Sequence, residues 1–389
     1  MKILMAHNHY QYSGGEDRSF AAEEMLLRAR GCQVVRYTLH NDQVKRMKRF
    51  ALLMATLWND DAYQSIRNII RQEQPQVAHF QNTFPLISPA AYYAAKTEGI
   101  PVVQTLRNYR LLCPNALFFR DRGVCENCLG KSVPWPAVVY ACYRGSRAVT
   151  GAVATMLTVH RTLGTWSRMV DVYIALTEFA REKFIEGGLP AEKIVVKPNF
   201  VYPDPGVENG KRKYALFVGR LSPEKGIRTL LNAWEVLKGS VALKIVGNGP
   251  LADEVQEASK HILGVEWLGQ KDLEEVYSLM GDAAFLIFPS EWYETFGRVA
   301  IEAFAKGTPV LAANIGAVGE ITEDGRTGLL FKPGDPEDLA AKVEWAWSHP
   351  EAMQAMGREA RREYEEKYTA ERNYKMLMDI YHRAIARYV

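Results

Sequence analysis

Short apolar runs alternate along this chain with stretches in which apolar residues recur every three or four positions. The runs of the first half are "KILMA" (2–6), "CQVVRYTL" (32–39), "VAHF" (77–80), "PVVQTL" (101–106) and "VDVYIAL" (170–176). Brief runs of this kind, many of them rich in β-branched residues, predict buried strands. Helical patterns separate them. The first opens at the Gly-Gly loop of "HNHYQYSGGEDRSFAAEEMLLRAR", with acidic residues in its first turn. Strands alternating with helices predict a parallel, doubly wound α/β sheet.

"KPNFVYPDPGVENGKRK" (197–213) interrupts the alternation, and its Pro, Gly, Asn and charge content reads as a linker. The pattern then restarts with "YALFVGR" (214–220), "VALKIVGNG" (241–249), "VEWLG" (265–269) and "AFLIFPS" (284–290). The expected organisation is a first α/β domain over 1–198, a linker over 199–213 and a second Rossmann-like domain over 214–366. A last helix, 367–389, is expected to cross back to the first domain. Open α/β sheets bind ligands beyond the carboxyl ends of their strands. Two such domains would face one another across a cleft, so the loops that follow strands are where chemistry is expected.

Length agrees with this division, since 389 residues exceed one ordinary core. A net charge of +3 offers no basic stripe for nucleic acid. The opening "MKILMAHNHY" does not read as a signal peptide, and no window approaches the ~20 apolar residues of a membrane span. A cytoplasmic location is expected. One segment changes this picture. In "NDQVKRMKRFALLMATLW" (41–58), Lys45, Arg46, Lys48 and Arg49 precede Phe50, Leu52, Leu53, Met54, Leu57 and Trp58. Residues 43–58 thus read either as a basic amphipathic helix on an anionic membrane surface, here the inner face, or as a helix packed on its own domain.

Three strand-ending loops of the second half share a character. "VGRLSPEKG" (218–226) sets Arg220 and Lys225 on a turn before a helix. "VGNGP" (246–250) brings Gly247, Asn248 and Gly249, whose amides can approach a ligand closely. "ETFG" (294–297) leads into the helix that carries Glu302. Cations, bare amides and a helix N-terminus together suit a diphosphate. Glu294 and Glu302 are too far apart for a glycosidase pair if the intervening residues are helical, at about 12 Å of rise. With Glu294 just before the helix and Glu302 two turns in, both could instead hold hydroxyls of one elongated ligand. Two surface glutamates are the plainer alternative.

"GRLSPEKG", "VGNGP", "PSEWYETFGRVAIEAFAKGTPV" and "GEITEDGRTGLLFKPGDPEDLA" together resemble the donor half of the family-four retaining glycosyltransferases. The similarity is close over 215–340 and looser in the first domain. It implies a GT-B fold and transfer of a hexose, glucose first, from a nucleoside diphosphate sugar to a glycan or lipid-linked acceptor in polysaccharide assembly. UDP is the first choice of nucleotide and GDP the alternative. By this resemblance Arg220 and Lys225 would neutralise the departing diphosphate, Glu294 would touch the donor hexose and Glu302 would hold the ribose. Thr295, Val299 and the amides of Phe296, Gly297 and Arg298 would line the sugar and phosphates, Leu268 the base. Gly14 and Gly15 match the family's glycine loop, Gly15 toward the donor and Gly14 toward the acceptor.

The third strand-end loop reads "QTLRNYRLLCP", so Arg107, followed by Asn108, stands where family members commonly carry a histidine. Arginine cannot cycle a proton near neutral pH but can hold a charge or a hydroxyl. Either that histidine's role is dispensable or activity is reduced. His79 is placed on the acceptor side with them, a packed histidine being the commoner case. No Asp-x-Asp stands in a metal-binding context, so no catalytic cofactor is expected and protein cations would take the metal's part. Two other readings fit the same residues: another GT-B enzyme, such as a sugar-nucleotide epimerase, or a donor-binding protein that has lost turnover.

Cys113, Cys125, Cys128 and Cys142 fall in one window with C-x11-C-x2-C-x13-C spacing. A structural zinc is the first reading, disulfides or thiols the second, an iron–sulfur cluster the third.

Overall fold

A computed structural model describes every residue except 12–13, 208–209, 211–212 and 389, so the linker expected over 199–213 lies partly outside the described residues. Contacts divide the chain into two units. The first comprises Met1–Phe118, Glu126–Pro198 and Glu371–Val389, the second Phe119–Cys125 and Asn199–Ala370.

In the first unit, β1 (Lys2–His9), β2 (Gln33–His40), β3 (Val77–Phe80) and β4 (Val102–Thr105) precede an insert holding a short antiparallel hairpin, β5 (Phe119–Arg120) and β6 (Gly123–Val124). β7 (Val172–Ala175) and β8 (Ile194–Val196) complete a parallel sheet ordered β2-β1-β3-β4-β7-β8. β3, β4 and β7 are buried at every position. That is why they do not alternate apolar with solvent-facing polar positions, and their polar residues, His79, Gln104 and Thr105, are themselves buried. The helix Ala370–Tyr388 belongs to this unit, its Leu377, Ile380, Tyr381 and Ala384 buried beside Ile3, Met5 and Phe20.

The second unit repeats the design with β9 (Ala215–Val218), β10 (Leu243–Val246), β11 (Val265–Trp267), β12 (Phe285–Phe288), β13 (Val310–Ala313) and β14 (Gly328–Phe331). All pair in parallel, in the order β11-β10-β9-β12-β13-β14. The helix Ile227–Leu237 buries Leu230, Leu231, Trp234 and Leu237 against this sheet. Each such side chain contributes about 1.5–3 kcal/mol by leaving water. Strand order reverses between β9 and β12, so this sheet's topological switch point falls where their carboxyl ends meet.

Candidate donor and acceptor sites

The two loops that leave this switch point carry the candidate donor chemistry. After β9 the chain runs through Gly219, the exposed Arg220 and a single 3-10 turn, Pro223–Lys225, into the helix Ile227–Leu237. After β12 it runs through Ser290, Trp292 and Glu294. Lys225 Nζ donates to Glu294 Oε1. The same oxygen accepts from Ser290 Oγ at 2.9 Å and from Trp292 Nε1 at 3.0 Å. Glu294 is buried, and the Lys225 ammonium also lies 5.5 Å from the Trp292 ring centroid. Three donors on one carboxylate oxygen fix its direction, and the part-exposed lysine is ion-paired with that carboxylate.

Two glycines make this close approach possible. Gly226 has φ +69°, and a Cβ there would meet the Pro289 carbonyl at 1.8 Å; Gly247 has φ +138°, and its Cβ would meet the Gly219 carbonyl at 1.8 Å. The amides of "VGNGP" were expected to be bare, and the structure corrects this. Gly247 N–H donates to Gly269 O at 2.8 Å and Gly249 N–H to Asn248 Oδ1 at 2.7 Å. Leu221 N–H donates to Asn248 O at 3.0 Å, and Leu268 N–H to Ile245 O at 2.9 Å. These glycines are required because loops pack backbone against backbone. Asn248 itself is exposed and Leu268 half-buried.

The helix that follows Glu294 begins only at Arg298 and ends at Ala305, with Gly297 as its N-cap at φ +98°. Glu302 is therefore little more than one turn in, not two, because Thr295, Phe296 and Gly297 form a loop. Glu302 is buried and accepts from Arg298 Nε at 2.8 Å. Phe296 is buried edge-on to Tyr368, while Thr295 and Val299 are half-exposed. The first amides of a helix have no acceptor within the helix, and here those of the first turn begin at Arg298, four residues after Glu294.

In the first unit, Gly14 caps the helix Gly15–Ala29 and donates its N–H to Asp17 Oδ2 at 3.1 Å. A Cβ added at Gly14 or at Gly15 would meet nothing within 4 Å, so packing does not demand glycine at either. Asn108 Nδ2 donates to Glu16 Oε1 at 3.1 Å. Burial holds the Glu16 carboxyl above its ordinary range, an effect that the Asn108 hydrogen bond opposes.

Arg107 is buried, its Nε donating to Gln81 Oε1 at 2.7 Å and its guanidinium 3.9 Å from Glu23. Glu23 also takes Lys197 Nζ at 3.1 Å and Gln81 Nε2 at 2.8 Å, and Lys197 donates to Asn373 Oδ1 at 3.0 Å. Burial pushes Glu23 up, but the Lys197, His79 and Arg107 charges prevail and hold it at about 2. His79, expected on the acceptor side, lies instead in this core. It is wholly buried, with Nδ1 2.8 Å from Tyr381 OH and Nε2 2.7 Å from Thr105 Oγ1, and burial brings it down to about 4. Both ring nitrogens are occupied, so no ligand contact remains for it. Sequence reading missed Glu23, Lys197 and Asn373, which are scattered along the chain and meet only in the fold.

The zinc expected at the four insert cysteines stays a reading of their spacing. Cys125 groups with the second unit and Cys113, Cys128 and Cys142 with the first, and none of the five cysteines is in a disulfide. Among the described residues, the group of three potential ligands spaced to hold an ion is His7, His9 and Asp17, whose ligand atoms lie within 4.8 Å of one another. His7 Nε2 lies 2.7 Å from Asp17 Oδ1, and Asn82 N–H points at His7 Nδ1 from 3.4 Å. An amide donating to Nδ1 puts the ring proton on Nε2, where it bonds Asp17. That tautomer suits a hydrogen bond, not a metal ligand, whose second nitrogen usually donates.

Residues 24–204 match the family described as "Glycosyltransferase Family 4", and residues 201–363 match "Glycosyl transferases group 1". A glycogen synthase of Mycobacterium tuberculosis is 37% identical over 330 residues, covering 78% of this chain and 77% of that protein. An uncharacterized glycosyltransferase of Methanocaldococcus jannaschii is 27% identical over 381 residues, covering 96% and 95%. Among solved structures, sucrose-phosphate synthase of Thermosynechococcus elongatus superposes with a TM-score of 0.73 at 16% identity, covering 99% of each chain. Anabaena HepE in complex with UDP superposes with a TM-score of 0.68 at 17% identity, covering 97% of this chain and 99% of that one. With two Rossmann-like units and these matches, the chain belongs to the GT-B glycosyltransferases.

Proposed function

We propose that this chain is a retaining hexosyltransferase that moves glucose from UDP-glucose to a lipid-linked glycan in polysaccharide assembly. The reading rests chiefly on one observation: Lys225 and Glu294, from the loops after β9 and β12, meet at the switch point of the second sheet, with Arg220 exposed on the first of those loops. Support for the nucleotide comes from Anabaena HepE, solved with UDP and with UDP-glucose.

In this mechanism the bond from the sugar C1 to the β-phosphate oxygen breaks, and negative charge grows on the leaving diphosphate. Arg220, Lys225 and the amides of Arg298 and Val299 would stabilise that charge, which is the step where preorganised donors contribute most. Glu294, aimed by Ser290 and Trp292, would accept from hexose hydroxyls, and Glu302 from the ribose. The acceptor oxygen would attack C1 from the face the diphosphate leaves, passing its proton to the departing phosphate oxygen, so the anomeric configuration is kept. Acceptor delivery would occur at the inner membrane face, through residues 43–58. No helix among the described residues is long and apolar enough to cross a membrane.

The test is a thermal-shift series with UDP-glucose, other UDP-sugars and GDP-mannose, followed by NMR of the anomeric proton of the sugar that is released from the best-binding donor. Binding of UDP-glucose with slow release of the α-anomer supports the proposal. Preference for GDP-mannose, or a β-product, overturns the donor or the stereochemistry respectively.

A further inference from the structure

The first unit exposes apolar side chains on two segments far apart in the chain. One is the helix Arg49–Leu57, of which only Thr56 is buried; Phe50 is 74% and Met54 47% exposed. The other spans residues 131–163, where Trp135 is 57%, Val139 49% and Leu163 54% exposed.

The first segment and residues 132–139 of the second are both fastened to the helix Arg147–Thr162. His160 Nε2 lies 2.8 Å from Leu57 O. Arg147 Nε donates to Val139 O at 3.2 Å, and Arg161 donates to Ser132 O and Leu111 O at 3.1 Å each. Leu57, Ser132 and Val139, close in sequence to the exposed apolar groups of the two segments, are thus tied to one helix. Soluble monomers rarely leave large contiguous apolar patches uncovered.

Charge identifies the occupant. Residues 43–59 and 127–170 hold nine Lys and Arg and no Asp or Glu, in a chain with 45 acidic residues. A second copy docking by a two-fold axis would set this cationic face against itself. An anionic surface with an apolar interior complements it. The helices also reach the acceptor side: Thr56 and Met156 line one cavity with Arg107, Asn108 and Arg110.

We propose that this two-segment face lies on an anionic phospholipid bilayer, with Trp135 and Val139 of the insert entering the headgroup region alongside Phe50 and Met54. It extends the membrane reading of 43–58 to a segment of the cysteine-containing insert. A bilayer-borne acceptor would then reach the Arg107 cavity without leaving the surface.

The test is flotation of the full chain with phosphatidylglycerol–phosphatidylcholine vesicles and with pure phosphatidylcholine vesicles. Binding is expected only to the anionic vesicles, weakening as salt rises. Trp135→Glu with Val139→Glu should lower the partition coefficient at least about tenfold, and Phe50→Glu with Met54→Glu should do likewise. Thermal shifts with UDP-glucose should match the parent in both variants, showing that fold and donor site persist. Undiminished binding by the Trp135/Val139 variant overturns the proposal while leaving the 43–58 reading intact. No binding by the parent, or a dimer in light scattering that these substitutions dissociate, overturns both membrane readings without touching the donor assignment.

Discussion

Lys225 donates to Glu294 Oε1, across 69 positions of sequence and from two different strand-end loops. The pair is 23% and 10% exposed at its side chains, so its worth to stability is discounted by solvent screening. Its value is positional, since the lysine is held at the switch point where an anion would enter. Lys225→Ala should lower kcat more than about tenfold, equivalent to ~1.4 kcal/mol of transition-state stabilisation, and Arg220→Ala should do the same. Steady-state donor hydrolysis checks both; unchanged turnover in either removes that residue from the mechanism.

Trp292 Nε1 and Ser290 Oγ aim the Glu294 carboxylate from the protein side. Trp292→Phe deletes one of the donors to Glu294 Oε1 and should cost about two- to tenfold in kcat, with little change in KM for the nucleotide. A rise in KM with kcat intact would show that Trp292 serves binding instead.

The glycines divide by steric environment. Gly226→Ala and Gly247→Ala put a Cβ 1.8 Å from a backbone carbonyl at positive φ, whereas Gly14→Ala meets nothing within 4 Å. The first two should each destabilise by about 2 kcal/mol or more and lower Tm by about 5 °C. Gly14→Ala should leave Tm within about 1 °C. Differential scanning calorimetry separates the cases.

Acid should weaken the first unit in two stages. His79 is brought down to about 4, so below pH ~6.5 the unfolded chain takes a proton that the folded one refuses, and stability falls from there to about pH 4. Glu23 is held at about 2, so the stability it contributes is full above its unfolded value near 4.5 and is lost as pH falls toward 2. Urea midpoints between pH 7 and 4 should drop for the parent and drop less for His79→Gln. Parallel curves would remove His79 as the cause.

Metal analysis decides whether the insert cysteines hold zinc or stay as thiols. In fresh, tag-free protein, less than about a tenth of an equivalent of zinc removes the metal reading. One equivalent, with loss on Cys128→Ser, supports it.

Much of the architecture was legible because period and composition are local. Fully buried parallel strands such as β7 and β12 show as unbroken apolar runs, and "GRLSPEKG" and "ETFG" mark strand-end loops whatever lies around them. The linkage of Glu23, Lys197, Arg107 and Asn373 was not legible, since these residues occupy four distant segments and carry no shared spacing. His79 illustrates the limit: a histidine after an apolar run looks the same whether it meets a ligand or Tyr381.

By itself the sequence determined that two α/β units exist, which loops end their strands, and that cations and paired acids gather in the second. Local periodicity and residue chemistry suffice for that. Only the tertiary structure decided that Lys225 meets Glu294, that Gly247 serves packing, that His79 is sealed in the core and that the insert and residues 49–57 are tied to one helix. Those outcomes depend on strand order and on which loops converge, and distance along the chain carries no information about either.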